Sequence, residues 1–346
     1  MENSPIQVKP EIVKPNDFWK TASRFILRSQ SYFGLIGILI LSAALSPVRN
    51  GHYIFLNPEN LLNIVRFASE NGIIAIGMTL VIIIGGIDLS VGAVLAISAV
   101  GAAALMMRNG WETVPTILTI LSMGAFIGFI NGIISTKLNI QAFIITLATL
   151  SASRGIASLW SGGYAIPLAF GQGAGVAPQS FKDMFAGSVN LLGLDIPVQV
   201  FYFIGVGLII SLVLKKTGFG RHIFAVGGNE TASRLSGVAV HRTKIIVFAL
   251  CGFLASLAAL LHASLVNQGS HIDGSGYELN AIAAVVIGGT SMSGGAGTVL
   301  GTMIGALILS ILDNILGLRN IQSEYQLILK GLLIVLAVMA QKRQSD

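Results

Sequence analysis

The sequence predicts an all-α integral membrane protein with about ten transmembrane helices, some of them broken or re-entrant. The first reason is composition: 53% of the 346 residues are hydrophobic, only 10% are charged, and the mean hydropathy is +0.80. Soluble domains carry about 25% charged residues, so two soluble domains of this total length are excluded. The second reason is that apolar stretches of membrane-spanning length recur along the chain. The single cysteine, Cys251, excludes an intrachain disulfide and a cysteine metal cluster.

The apolar stretches define the predicted spans, because a helix needs about 20 mostly apolar residues to cross a bilayer. In chain order they lie at 32–48, 61–86, 91–107, 114–136, 141–161, 197–214, 245–266, 278–290, 296–317 and 322–341. The first follows a basic region of about 30 residues, which is long for a signal peptide, so we interpret it as an uncleaved span. The spans form one polytopic domain, 31–341, between an N-terminal segment, 1–30, and a tail, 342–346.

Basic side chains predict the orientation, because Lys and Arg accumulate on the cytoplasmic side of membrane proteins. With the N-terminus placed inside, 14 Lys and Arg lie in inner segments and 4 in outer loops. Both termini and the basic segment 215–244 are therefore expected in the cytoplasm, and 163–196 is expected to be a periplasmic loop. This distribution explains the net charge of +6 without a nucleic-acid partner.

The second and third spans belong to one apolar tract, 72–107, whose 36 residues would make a helix of about 54 Å. That length exceeds a single crossing, and a break is predicted within 85–93. Glycines there permit non-helical backbone, and Asp88 and Ser90 can accept hydrogen bonds from freed N–H groups. Irregular backbone at membrane depth must be covered by protein or water, so this break is expected to face the bundle interior or a cavity.

A second break is predicted at 288–296. Aligned with 85–93, this segment has identical residues at the two leading glycines, at Ser293, at Gly295 and at the final alanine. Corresponding breaks in two halves of a transporter indicate a substrate path. Internal duplication and chance similarity of small residues both remain open as explanations. Elsewhere, Gly124, Gly128 and Gly132, and likewise Gly297, Gly301 and Gly305, have the GxxxG spacing that allows close helix packing.

Polar and glycine residues in the spans are candidates for a substrate path, and each polar one can alternatively bridge helices. The candidates are Asn71, Gly85, Gly86, Asp88, Ser90, Gly92, Asn131, Gln141 and Ser293. Asp88 is interpreted as a helix cap rather than an ion relay, because no chain of ionisable residues accompanies it. His262, on an apolar stretch, is expected to be a packed core residue. No catalytic constellation, P-loop or metal-binding motif occurs, so no enzyme activity, cofactor or metal site is predicted.

Three segments together resemble the permease subunits of ribose/galactose-type ABC sugar importers. They are GGIDLSVGA at 85–93, GFGR at 218–221 followed by GNETASRLSGV at 228–238, and the apolar segment 284–309. The resemblance covers nearly the whole chain. It implies a non-enzymatic membrane subunit that carries a monosaccharide, a ribose-like pentose or a hexose, across the bacterial cytoplasmic membrane.

The resemblance also implies partners. These are ABC ATPase subunits inside, a periplasmic or lipid-anchored sugar-binding protein outside, and a second permease copy or paralogue within the lipid. Residues 217–241 would then couple the permease to the ATPase. Gly218, Gly220, Gly227 and Gly228 are predicted to form turns there.

Asn229 is predicted to cap a short helix, Glu230–Leu235, in this coupling segment. Small residues that suit close contact with an ATPase are Ala232, Ser233, Ser236 and Gly237. A solvated basic loop is the alternative interpretation of the segment. The alternative for the whole protein is an ion-coupled secondary transporter that uses Asp88 as an ion ligand.

Overall fold

The computed structural model describes residues 30–171, 173, 175–191 and 193–342. The predicted N-terminal segment, 1–30, and the tail, 342–346, therefore lie almost entirely outside the described residues. Within the described residues the chain is a helix bundle with short turns and small strand pairs.

The described helices range in length from 6 to 27 residues. They are α1 Gln30–Ala44, α2 Pro58–Ile83, α3 Val91–Met107, α4 Thr113–Lys137, α5 Ala142–Ser161, α6 Gln179–Ala186, α7 Val198–Lys216, α8 Gly218–Gly228, α9 Glu230–Leu235, α10 Val240–Val266, α11 Tyr277–Ile287, α12 Val299–Leu318 and α13 Ser323–Lys342. Short strands pair as β1 Val48–Arg49 with β2 His52–Tyr53, β3 Ile166–Pro167 with β8 Gln268–Gly269, β4 Phe170–Gly171 with β5 Ala177–Pro178, and β6 Ser188–Leu191 with β7 Leu194–Pro197.

Six helices in the described part of the chain are long and apolar enough to cross a membrane: α2, α4, α5, α7, α10 and α12. Helices α1, α3 and α11 are apolar but shorter. The prediction of an all-α membrane protein with broken segments is confirmed. We call the end of the bundle that holds α8 and α9 the basic end, and the end that holds β3–β7 and α6 the loop end.

The predicted span 278–290 is wrong in length. Helix α11 has 11 residues, a rise of about 16 Å, which cannot cross a bilayer. The chain before it, 267–276, runs from the loop end along α3: a Cβ on Gly269 would lie 2.2 Å from the carbonyl oxygen of Ala99, and one on Gly92 would lie 2.3 Å from that of Gly274. Arg154 of α5 donates hydrogen bonds to the carbonyl oxygens of His271 and Asp273 in this segment.

The GxxxG prediction is confirmed on α4 and, on α12, for Gly301 and Gly305, whereas Gly297 lies in the break before α12. Helix α4 packs on α10 so closely that a Cβ on Gly128 would lie 2.1 Å from the carbonyl oxygen of Phe248. In α12, a Cβ on Gly305 would lie 2.0 Å from the carbonyl oxygen of Ala284 in α11. Side chains between these contacts form the core, which is centred on the buried half of α2 that precedes the first break.

Candidate functional site

The first break, 84–90, joins α2 to α3 through a turn in which Gly85 has a φ of +78°. Asp88 is 1% exposed. Its Oδ1 accepts hydrogen bonds from the backbone N–H of Ser90 at 2.9 Å and from the Ser90 hydroxyl at 2.6 Å. The prediction that Asp88 accepts a freed N–H is confirmed, whereas the Ser90 side chain caps no N–H of α3.

A chain of hydrogen bonds extends from this carboxylate to two neighbouring helices. The Ser90 hydroxyl accepts from the Asn131 amide at 3.1 Å, and the Asn131 oxygen accepts from the Thr149 hydroxyl at 2.6 Å. Asp88, Ser90 and Asn131 are all buried. Of the two interpretations of these residues, the geometry matches the helix bridge, because they tie the first break to α4 and α5.

The second break, 288–298, joins α11 to α12 and meets the first one. Gly289, Gly294 and Gly295 have φ values of +86°, +84° and +73°, which favour glycine. The N–H of Gly295 donates to the carbonyl oxygen of Ile83, the last residue of α2, at 2.8 Å. Ser293 is exposed beside this contact. The two breaks are therefore in direct contact at the basic end.

Helix α8 packs against the junction between the two breaks. The prediction of glycine turns at 218–228 is wrong, because these residues form a helix. Thr217 caps the helix by accepting a hydrogen bond from the N–H of Gly220 at 3.1 Å. The glycines permit close packing instead: a Cβ on Gly220 would lie 2.2 Å from the carbonyl oxygen of Leu214. A Cβ on Gly227 would lie 1.7 Å from the carbonyl oxygen of Ile83 and 2.6 Å from the backbone nitrogen of Gly295.

The short helix α9 is confirmed with its predicted cap, because the Asn229 side chain accepts from the N–H of Ala232 at 2.8 Å. Glu230 lies 2.6 Å from the ammonium group of Lys244 in α10 and 3.2 Å from the guanidinium group of Arg234. Burial raises the pKa of Glu230, but these two cations outweigh it and leave the pKa below its usual value. The pair with Lys244 holds α9 against the start of α10, and the pair with Arg234 lies within α9.

The outer surface of α9 and the turn after it are exposed. Ala232, Ser236 and Gly237 are all exposed, as a contact surface requires, and Gly237 has a φ of +82°. Ser233 is buried, so its prediction as a contact residue is wrong. Leu235 is 85% exposed, and the sequence analysis did not single it out. The sequence did contain a signal for an exposed contact residue here, because Leu235 is an apolar residue at the end of an otherwise polar helix.

A cavity of about 480 Å³ opens at the basic end between the first break, the α4–α5 turn and α9. Its lining includes the predicted path residues Gly85, Gly86 and Gln141, together with Glu230 and Lys244. The structure thus brings residues predicted for the path and for coupling into one site. Asn71 lies elsewhere, midway along α2.

A polar cluster that sequence reasoning missed surrounds His262. The side chain is 12% exposed, so it is largely buried as predicted, but its partners are polar. Its Nδ1 lies 2.9 Å from a carboxylate oxygen of Glu70, and its Nε2 lies 3.7 Å from one of Asp273. The ring of Tyr277 packs edge-on against it. The cluster fixes the segment 267–276 to α2 and α10. It escaped prediction because Asp273 was placed in a loop outside the membrane.

Comparisons with known proteins agree on one family. The family described as the branched-chain amino acid transport system / permease component matches residues 60–338. The ribose import permease protein RbsC of Haemophilus influenzae is 42% identical over 319 residues, which is 92% of this chain and 94% of that protein. RbsC of Escherichia coli K12 is 39% identical, over 93% of this chain and 95% of its own.

A third relative is the xylose transport system permease protein XylH of Haemophilus influenzae, which is 35% identical over 89% of this chain and 95% of its own. No solved structure gives a significant match.

Proposed function

Because the chain belongs to this family of transport-system permease components, we propose that it is the transmembrane permease subunit of an ABC importer that carries a monosaccharide. The family name mentions branched-chain amino acids. Relatives that cover nearly the whole chain at 35–42% identity are named for ribose and xylose, which supports a pentose or a similar hexose as the substrate. ATP hydrolysis belongs to a separate ATPase subunit.

The observation that carries the mechanism is the contact of α8 with both breaks. Helix α9, with its exposed Leu235, supplies the surface for the ATPase, and its ion pairs with Lys244 keep it in place. Movement of α9 passes into α8, and the Gly227 contact passes it to Ile83 and to Gly295. Broken helices are where transporters change between outward-facing and inward-facing states.

The ion-coupled alternative has no support among the relatives. Within the described residues Asp88 is engaged by the Ser90 hydroxyl and backbone, which fits a structural carboxylate rather than an ion ligand exposed to the path.

The protein is a multi-pass protein of the bacterial inner membrane, a single membrane domain over 31–341 in our proposal. Its partners are ATPase subunits, a periplasmic or lipid-anchored sugar-binding protein and a second permease copy or paralogue. Both termini and the basic end lie in the cytoplasm, and the loop 163–196 lies outside. Reporter fusions test this orientation, because a fusion within 163–196 should report the periplasm and one within 215–244 the cytoplasm.

The function itself is tested with the permease purified together with its ATPase and reconstituted in liposomes with the binding protein. Uptake of radiolabelled D-ribose or D-xylose should require ATP and should continue when the ion gradient is collapsed. Uptake that needs an ion gradient and ignores ATP would establish the secondary transporter instead.

A further inference from the structure

A second cleft, partly open to the surface of the chain, lies between α2, α11, α12 and α13 and has a volume of about 520 Å³. Seven polar side chains of its lining come from all four helices: Asn71, Tyr277, Asn280, Ser310, Asp313, Asn314 and Lys330. We call it the central cleft. It is separate from the cavity at the basic end, since the two linings share no residue.

The central cleft reaches the middle of the membrane. Asn71 stands 13 residues after the start of α2 and 12 before its end, so about 18–20 Å of helix lies on either side. Tyr277 and Asn280 belong to the first turn of α11, the half-length helix. Transporters commonly bind substrates near the bilayer midplane, at the ends of discontinuous helices.

Two polar atoms in the lining of the cleft lack protein partners, although Ser310 and Asn314 are hydrogen-bonded to α2. The Oδ1 atoms of Asn71 and of Asp313 are both buried with no hydrogen-bond partner among the described residues. The other carboxylate oxygen of Asp313 lies 2.9 Å from the ammonium group of Lys330. Buried acceptors without donors are unfavourable, and their presence on two helices that line one cleft points to a ligand that supplies donors.

We propose that the central cleft is a monosaccharide subsite on the translocation route, an inference that rests on the proposed function. Sugar hydroxyls both donate and accept, so they satisfy the free oxygens of Asn71 and Asp313 and the donors of Lys330 and Asn280. Tyr277 offers an aromatic surface for the sugar ring. The volume falls in the usual range for small-molecule sites, and the open side lets the sugar enter from a neighbouring permease subunit.

The glycines provide a test with a matched control. A Cβ on Gly317, which lines the cleft, would meet nothing within 4 Å, and the same holds for Gly331 of α13, which does not line it. Gly317→Leu therefore adds bulk at the lining of the cleft from a position where the Cβ meets no neighbour, and Gly331→Leu adds the same side chain outside the lining. Asn71→Leu removes a free acceptor, and Asn63→Leu is its control on the same helix.

The assay is ATP-dependent uptake by the reconstituted importer, with D-ribose, D-xylose, L-arabinose and D-galactose as probes. Gly317→Leu and Asn71→Leu should each raise the apparent KM about tenfold or more, as loss of a buried hydrogen bond does. Gly317→Leu should also lower hexose uptake more than pentose uptake. Both control variants should stay within about twofold of wild type.

Uptake with unchanged KM and unchanged pentose-to-hexose ratio in both cleft variants would overturn the subsite. Native mass spectrometry distinguishes a lipid site: a phospholipid that copurifies with wild type and is lost in Gly317→Leu, with uptake unchanged, would also overturn it. Failure of the wild-type importer to take up any of the four sugars would instead refute the proposed function, and the subsite with it.

Discussion

The contact of Gly227 with the two breaks makes a sharp prediction for Gly227→Ala. The added Cβ would lie 1.7 Å from the carbonyl oxygen of Ile83, and real Cβ atoms essentially never approach closer than 3.0 Å. Helix α8 must therefore retreat from the breaks by at least 1.3 Å, the difference between these distances. Overpacking of this kind costs about 1–3 kcal/mol, which exceeds the gain of about 1 kcal/mol from replacing a helical glycine by alanine.

This displacement of α8 should uncouple the ATPase from the two breaks without unfolding the protein. Because α9 moves with α8 and keeps its own ion pairs, the ATPase should copurify with Gly227→Ala at the wild-type ratio. ATP-dependent sugar uptake should fall about tenfold or more, since 1.4 kcal/mol is a factor of 10 in an equilibrium between states. ATP hydrolysis should persist, and its stimulation by the sugar-loaded binding protein should be lost.

Gly228→Ala is the control. A Cβ on Gly228 meets nothing within 4 Å, and its φ is not positive, so this variant gains helix propensity without a collision. It should transport within about twofold of wild type. If Gly227→Ala transports as well as Gly228→Ala at equal membrane abundance, α8 does not transmit movement to the breaks.

Three further predictions follow from the same site. Asp88→Asn keeps an oxygen that can accept from Ser90, so uptake should stay within a few-fold of wild type from pH 6 to 8; complete loss of uptake would favour an ion relay. Leu235→Asp should reduce recovery of the ATPase in pull-downs while membrane abundance stays normal, and equal recovery would remove this side chain from the docking surface. The pKa of Glu230 lies below its usual 4.5, so its pairing with Lys244 should persist above that pH and be lost only as the pH falls through the lowered pKa. Because this pair holds α9 in place, association with the ATPase should weaken over the same acid range. Glu230→Gln lacks the titrating group, so its association with the ATPase should not change over that range.

The sequence predicts much of the architecture because membrane-spanning helices obey a simple rule of length and apolarity. The first break could be located for the same reason, since 36 apolar residues exceed one crossing and only its glycines permit a turn. Asn229 could be identified as a cap because capping is a local interaction.

The errors have a common physical origin in contacts between distant segments. Glycines in α8 predict turns when they are considered alone, and only their contact with Ile83 and Gly295 explains why they lie in a helix. His262 appeared to be apolar core because its partners, Glu70 and Asp273, come from other elements. The central cleft needs four helices at once, so Asn71 alone could indicate a polar position and not a site.

The half-length of α11 has a consequence for how the protein enters the membrane. An 11-residue helix is too short for the insertion machinery to recognise as an independent span, so α11 must partition together with α12 as one hairpin. The chain before it, 267–276, can settle only against an α3 that is already in place, because Gly92 and Gly274 are in contact. The N-terminal helices must therefore assemble before the last third of the chain takes its final position.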